Sequence, residues 1–355
     1  MSSPDLPTVW WRRVDPGIPA WLLAALVVWG VHGFQDGRSR DSAVYVYAGQ
    51  AVANGNAPYV EVFNRAGPLA QLLPGLGVGL GRAIGIDDVV GIRLIFFALM
   101  VATPALTYVL ARDAFGSRLA GSAAAATLVA FEGLALSATD GPQSKQPMML
   151  GLLAALLLLT RHRWLAAGLV TGLATLTWQP VLAVLVPAAL VVAWLSPGAR
   201  RDRVAGLARF VGGGLMALAA TTGYFLLNGA LDAFVEGFWS VNAGYPEQRG
   251  LASDPVYAWD AVTAWLGWTT GLLIVGGVLS VALGLLGLRG RPTARVVAGR
   301  SARRRWQAWA GAHSRSTAPP TRCWCYRWPP PGSAVVSRSS PDGCPSHGVG
   351  CQPSS

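Results

Sequence analysis

GPLAQLLPGLGVGLG, residues 67–81, is an apolar run whose length decides how the chain is arranged. A helix needs about 20 apolar residues to cross a bilayer, and roughly 17 at minimum. This run has 15 residues and contains an internal proline, Pro74. Its spaced glycines follow no predicted strand, so they favour close packing between helices over a phosphate-binding loop. The run therefore predicts a helix that lies along the membrane surface or re-enters it.

The composition of the whole chain indicates a membrane protein. Of 355 residues, 52% are hydrophobic and only 13% are charged, against about 25% charged residues in an average soluble domain. The net charge of +11 comes from short arginine clusters between apolar runs, as the positive-inside rule expects. We therefore predict an all-α polytopic membrane protein, with membrane lipid rather than nucleic acid as its surroundings.

The order of the apolar runs predicts how the chain crosses the membrane. The runs occupy residues 18–34, 67–81, 91–111, 119–138, 147–160, 164–178, 180–195, 210–228 and 261–288. Arginine-dense segments are expected in the cytoplasm, and they lie at 12–13, 161–163, 200–209 and 289–291. Counting spans between these segments places both 35–66 and 82–90 outside, so the run at 67–81 cannot cross. About eight transmembrane helices remain.

The predicted domain organisation follows from this count. Residues 1–17 form a cytoplasmic N-terminus and residues 18–290 a transmembrane domain, whose large first external loop (35–90) contains interfacial helices. Further external segments are predicted at 139–146 and 229–260.

The tail at 291–355 is basic and rich in proline, serine and cysteine. Its lack of periodicity indicates disorder, yet its tryptophans and cysteines are unusual for a disordered segment. We hypothesise that much of the tail is an out-of-frame translation of GC-rich DNA. All four cysteines lie in it, without the paired spacing of a structural zinc site.

A short amphipathic helix is predicted in the first external loop, directly after Asp41. In SAVYVYAGQAVANG the apolar residues at 44, 45, 48, 51 and 52 follow helical spacing. Asn54-Gly55 and Pro58 then end the helix. Tyr45 and Tyr47 suit the lipid interface. From spacing alone, Asp41 is either the N-cap of this helix or a catalytic carboxylate.

The same loop resembles a known family of membrane enzymes. The pattern D-S-A-x-Y-x-Y-A-x-x-x-x-x-G-x-x-P-Y followed by F-N-x-x-G-P-L is similar to the first external loop of GT-C glycosyltransferases. The nearest group is the dolichyl-phosphate-mannose protein mannosyltransferase-like one, which includes aminoarabinose transferases. The resemblance covers roughly residues 18–290 and implies a GT-C-like fold, in which the Pro-Leu segment forms a helix at the membrane surface.

The resemblance also implies a chemistry for named residues. Asp41 matches the family's first-loop acid, whose implied role is to accept or position the proton of the acceptor hydroxyl. The second acid of the family is best matched by Asp140 in SATDGPQSKQP, although Lys145 and Gln146 stand where the family often has it. Lys145 and Arg65 are the candidates for neutralising the lipid phosphate. As alternatives, Asp140 is a turn former and Lys145 a solvated loop charge.

Other candidate residues carry weaker signals. We expect Tyr45, Tyr59, Tyr245 and Glu247 to bind substrate, with Tyr245 and Glu247 near the acceptor. Glu132 lies in the apolar run 119–138, and an acid at membrane depth is a functional candidate. No metal-ligand motif is present in the sequence, and no cofactor is predicted with certainty, so a divalent metal stays open.

These features together predict a glycosyltransferase of the cytoplasmic membrane with an external active site. It would move a sugar from a polyprenyl-phosphate donor to a hydroxyl of a glycan, lipid or protein. Two alternatives remain open at this point. One is a transporter or flippase, whose expected internal repeats and paired intramembrane charges we do not find. The other is a truncated, inactive relic of a glycosyltransferase.

Overall fold

All of the secondary structure in the described part of the chain is helical. The computed structural model describes residues 15–34, 40–196 and 199–244, together with isolated positions between 256 and 278. Its helices are α1 (Gly17–Gly30), α2 (Arg40–Ala53), α3 (Leu69–Ile84), α4 (Asp88–Phe115), α5 (Arg118–Val129), α6 (Glu132–Asp140), α7 (Lys145–Thr160), α8 (Trp164–Thr175), α9 (Leu182–Leu195), α10 (Arg200–Leu227), α11 (Leu231–Phe234) and α12 (Val241–Gly244). A 3₁₀ turn (Gln179–Val181) precedes α9, and a π-helix (Val235–Ser240) joins α11 to α12.

The helices are apolar, but they differ in length. By length and composition, α4 and α10 are each able to cross a membrane, and α5 with α6 forms a third candidate span bent by 62°. The other apolar helices are shorter, with 10–17 residues each: α1, α3, α7, α8 and α9. For α9, this length includes the 3₁₀ turn before it. The all-α membrane fold is therefore confirmed, whereas the predicted number of about eight spans is not.

One end of the helix bundle is held together by charges. We call it the ion-pair end, and its charged residues are Asp15, Arg112, Asp113, Arg118 and Arg161. Arg112 contacts both carboxylates, Arg161 lies 2.8 Å from Asp113, and Arg118 lies 3.4 Å from Asp15. These pairs join Asp15, two residues before α1, to the end of α4, the start of α5 and the residue after α7.

The opposite end is built from loops and turns, and we call it the loop end. It consists of residues 54–68, 141–144, 176–181 and 228–244. Helices α4, α7 and α8 each have one end beside the ion-pair end and the other at the loop end. The lengths of α7 and α8, 16 and 12 residues, separate the two ends by roughly 20 Å.

Helices α2 and α3 lie across the loop end instead of joining the two ends. The N–H of Leu69, where α3 begins, donates to the carbonyl of Leu176, just after α8. In the last turn of α3, Arg82 forms an ion pair with Asp88, the first residue of α4. Both termini of α3 therefore contact the same end of the bundle. This arrangement matches the prediction that the run at 67–81 does not cross. Which side of the membrane the loop end faces stays a prediction.

Glycines allow the helices to approach closely. A Cβ on Gly213 of α10 would lie 2.1 Å from the carbonyl oxygen of Leu165 on α8. Likewise, a Cβ on Gly168 of α8 would lie 1.8 Å from the carbonyl oxygen of Phe210 on α10. Gly77 of α3 meets the backbone of Ile92 in the same way. The interpretation of the glycines in 75–81 as helix-packing residues is thereby confirmed for Gly75 and Gly77, whereas a Cβ on Gly79 would have no atom within 4 Å. Pro74 is buried inside α3 without ending it.

The apolar run 119–138, predicted as one span, is broken into α5 and α6. The break frees backbone carbonyls, because residues 130–131 leave the helical path. The indole N–H of Trp29, a fully buried residue of α1, donates to the carbonyl of Val129 at 3.1 Å. One of the freed acceptors is thus satisfied from a neighbouring helix. Glu132 begins α6 at this bend, and its side chain is exposed.

Candidate functional site

The loop end brings together two segments that the sequence keeps a hundred residues apart. A Cβ on Gly141 would lie 3.4 Å from Cβ and Oγ of Ser42, whose side chain is only 1% exposed. Ser42 follows Asp41, and Gly141 follows Asp140. The backbones that carry the two predicted carboxylates therefore meet at one place. Helix α2 begins at Arg40, so Asp41 lies in its first turn and not at the N-cap.

The turn between α6 and α7 is fixed from inside by one amide side chain. Gln146 is 1% exposed, and its Nε2 donates to the carbonyls of Ser137 and Gly141, the latter at 3.0 Å. Its Oε1 accepts the backbone N–H of Gln143 at 3.1 Å. Gly141 has φ 137° and ψ −167°, a conformation open essentially only to glycine. The positions of Asp140 and Lys145 follow from this turn.

Two charges of this turn have no charged partner in the described part of the chain. Asp140 ends α6 with a half-buried side chain, and Lys145 begins α7 with an exposed one. Neither forms an ion pair with another described residue. The Lys145 ammonium lies 5.9 Å from the ring centre of Trp178, a weak cation–π contact. A cation beside the first turn of α7 is not favoured by the helix dipole, but it suits the binding of an anion there.

The loop at 54–68 is packed against the end of α10 and the segment after it. Tyr59 is buried, and its hydroxyl donates to the carbonyl of Ala66 at 2.7 Å. Its ring stacks on Phe225 at 6.1 Å, and burial raises its pKa above the usual value. Tyr59 adopts φ 71°, which is uncommon for a residue with a side chain. Tyr59 therefore acts as an internal anchor of the loop.

The remaining predicted residues of the first loop differ in exposure. Tyr45 is buried, whereas Tyr47 is 66% exposed and fits the predicted lipid interface. Arg65 is exposed, and its carbonyl accepts the side-chain amide of Asn242 at 3.0 Å. Because Tyr45 and Tyr59 are both buried, direct contact with substrate requires a rearrangement of the loop. Their substrate-binding role stays a prediction.

The segment after α10 closes the site from the other side. Asn242 also donates to the carbonyl of Phe238 at 3.0 Å, and Gln179 donates to the same oxygen at 3.2 Å. Phe238 lies in the π-helix, an uncommon element that is frequent at functional sites. Residues 65, 179 and 238–242 are thus joined. Tyr245 and Glu247, predicted to contact the acceptor, lie outside the described residues.

An apolar groove opens beside these loops, between α3, α8 and α10. Its volume is 380 Å³. It is lined by Leu72, Leu169, Leu173, Met216, Ala217, Ala220, Thr221 and Tyr224. Its lining is apolar except for Thr221 and Tyr224. In the part of the chain that the structure describes, no group of three or more metal-ligating side chains lies together.

A comparison of the sequence with models of known protein families adds an independent observation. Residues 74–225 match the family model described as dolichyl-phosphate-mannose-protein mannosyltransferase. This stretch is similar to that family. The similarity predicted from the first loop is thereby confirmed, and it supports a membrane glycosyltransferase. No curated protein and no solved structure matches the chain.

The mannosyltransferase-like stretch contains only part of the candidate site. Asp140 and Lys145 lie inside it, as do the walls of the groove on α8 and α10. Asp41 and Arg65 precede it, so their roles depend on the loop pattern and on where the fold places them.

Sequence reasoning overlooked the polar residues that hold the site together. Gln146, Ser42 and Asn242 are buried or half-buried. Ser42 and Asn242 lie beside segments distant in sequence, whereas Gln146 bonds within its own turn. The only signal for Gln146 was an amide next to an apolar run, at the position where the family often has an acid. Ser42 stands in the quoted loop pattern and Asn242 in the external segment 229–260, but neither could be assigned a role, because their partners become neighbours only in the folded chain.

Proposed function

We propose that the chain is a glycosyltransferase of the plasma membrane, with its active site on the external face. It moves a sugar from a polyprenyl-phosphate donor to a hydroxyl of a glycan, lipid or protein. The observation that carries this proposal is the approach of Ser42 to Gly141, which brings the segments of Asp41 and Asp140 together beside Lys145. The family match to residues 74–225 supports the class of reaction.

The proposed reaction uses these residues in distinct roles. The acceptor oxygen attacks the anomeric carbon, the bond from that carbon to the phosphate oxygen breaks, and the lipid phosphate leaves. Asp41 accepts the proton of the acceptor hydroxyl, which raises the nucleophilicity of its oxygen. Asp140 orients the acceptor or the sugar. Lys145 and Arg65 neutralise the charge on the departing phosphate.

The groove offers a surface for the lipid part of the donor. Helix α3 lies across the loop end and contributes Leu72 to the groove wall. A prenyl chain there would gain van der Waals contacts with these side chains, and little hydrophobic free energy, because the chain is already out of water in the bilayer. The groove thus supports a lipid-linked donor over a soluble nucleotide sugar.

The test is sugar transfer in membranes that contain the full chain. Labelled polyprenyl-phosphate sugars are supplied, and Asp41→Asn is compared with Asp202→Asn, an exposed acid in the first turn of α10. We expect Asp41→Asn to lower transfer by about 100-fold or more and Asp202→Asn to leave it unchanged. Transfer of equal rate in both variants contradicts the role of Asp41.

The same experiment separates the alternative functions. No transfer from any donor, by a chain that inserts into the membrane, contradicts the proposed activity. Movement of the labelled lipid across the membrane without transfer would instead identify a flippase.

A further inference from the structure

We infer that Gln146 is a positioning residue for the reaction, because it sets where Asp140 and Lys145 stand. This inference rests on the proposed function and adds a residue to it. Gln146 does not face the proposed substrate, since its side chain is 1% exposed. It acts through the turn between α6 and α7.

The hydrogen bonds of Gln146 account for its whole amide group. Both bonds from Nε2 go to backbone carbonyls on the α6 side of the turn, at Ser137 and Gly141. The bond to Oε1 comes from the N–H of Gln143 on the α7 side. Rotating the amide by about 180° would place Nε2 against the N–H of Gln143 and Oε1 against the two carbonyls, so only the observed orientation makes these bonds. A single side chain thus joins the end of α6 to the start of α7, and it does so on both sides of Gly141.

The hydrogen bonds of Gln146 affect the positions of two proposed site residues, Asp140 and Lys145. Asp140 lies between its two carbonyl partners, Ser137 and Gly141, and Lys145 directly precedes Gln146. Gly141 also lies close to Ser42, since a Cβ built on it would be 3.4 Å from the Ser42 Oγ, so a shift of the turn changes the distance between the segments of Asp140 and Asp41. Displacement of a reacting group by about 1 Å can lower a rate 100-fold.

The chain offers a matched control in Gln71. Gln71 is also 1% exposed, accepts the N–H of Tyr59 at 3.4 Å and donates to the carbonyl of Asn64 at 3.5 Å. Its partners belong to the loop at 54–68 and not to the turn at 141–144. Gln71→Met and Gln146→Met therefore remove the same kind of buried amide in different places.

The experiment combines kinetics with amide exchange on the full chain in detergent. Gln146→Met removes the acceptor of the Gln143 N–H, so we expect exchange at Gln143 to become about tenfold faster. Gln71→Met should leave this exchange within about twofold. For transfer, Gln146→Met should lower kcat by about 10- to 100-fold with KM for the lipid donor within about twofold.

A double-mutant cycle separates positioning from a general loss of structure. In the background Asp140→Glu, which displaces the carboxylate but retains it, Gln146→Met should lower kcat by only about twofold further. Gln71→Met should have the same effect in both backgrounds. Equal losses for Gln146→Met in both backgrounds, or unchanged exchange at Gln143, overturn the inference. Absence of transfer by the unaltered chain is a different result, because it refutes the proposed function itself and removes this inference with it.

Discussion

The two ends of the helix bundle differ in how their charges are paired, although the loop end also contains the ion pair between Arg82 and Asp88, at 2.9 Å. At the ion-pair end every acid meets arginine, with contacts of 2.9 Å and 2.8 Å for Asp113. At the loop end, Asp140 and Lys145 form no ion pair with another described residue. A charge that is paired inside the protein stabilises the fold, whereas one left unpaired beside an opening is available to a ligand. Under the proposed function, the ion-pair end is structural and the loop end carries the chemistry.

The strongest test of this comparison replaces one aspartate by asparagine at each end of the bundle. We expect Asp140→Asn to lower transfer by about 100-fold or more while membrane insertion and thermal stability are retained. Asp113→Asn, which weakens contacts to Arg112 and Arg161, should lower stability but leave kcat within about twofold. The rates of both variants are measured on folded material. The opposite pattern would reverse the assignment of the two ends.

The ion pairs themselves can be broken one at a time. Arg112 is 22% exposed in its side chain and serves both Asp15 and Asp113. We expect Arg112→Met to lower the free energy of unfolding by about 2 kcal/mol, less than the roughly 3–5 kcal/mol of a fully buried pair. Arg118, 70% exposed and 3.4 Å from Asp15, provides the control, and its replacement by Met should cost about 0.5 kcal/mol or less. Thermal unfolding in detergent measures both.

Each end of the bundle has a glycine in a backbone conformation that other residues rarely adopt, so the need for glycine can be compared at the two ends. Gly141 requires a conformation open essentially to glycine alone and lies against Ser42. We expect Gly141→Ala to destabilise the protein by about 2–3 kcal/mol and to lower transfer as well. Gly116, after α4, is in the left-handed region with open space around it, so Gly116→Ala should cost only about 1 kcal/mol. Equal effects on transfer would show that the turn at 141–144 has no special role.

The smallest expected effect concerns pH at the ion-pair end. The pKa of Asp15 is lowered from 3.8 to about 2, chiefly by the N–H of Gly17 and also by hydrogen bonds from Arg112 and Tyr108. A carboxyl group with a lowered pKa stabilises the fold above its unfolded pKa and loses this effect as the pH falls through the folded one. The contribution of Asp15 is therefore complete above about pH 4 and is lost towards about pH 2.

This pH dependence is measured by thermal unfolding of the unaltered chain and of Asp15→Asn. The gap in melting temperature between them should narrow as the pH falls from about 5 to about 2. A constant gap would mean that the contacts of Asp15 do not depend on its charge.

Part of the fold could be predicted because it depends on local pattern. The amphipathic helix after Asp41 ends at the predicted Asn54-Gly55, where Gly55 adopts φ 98°. The length of the run at 67–81 and the arginine distribution predict that it does not cross the membrane, and the contacts of both α3 termini with the loop end support this prediction. The break between α5 and α6 could not be predicted from an uninterrupted apolar run, since its partner, Trp29, is supplied by α1.

The sequence by itself determined that this is a helical membrane protein, similar over residues 74–225 to mannosyltransferases. Composition, run length and the loop motif suffice for that, because helices and their membrane environment follow from local hydrophobicity. Only the tertiary structure decided which polar groups meet. Ser42 beside Gly141, and Asn242 bonded to the carbonyl of Arg65, depend on helix packing that brings distant segments together, whereas the bonds of Gln146 stay within its own turn. The close approach of α8 and α10 at Gly168 and Gly213 is one example of this packing.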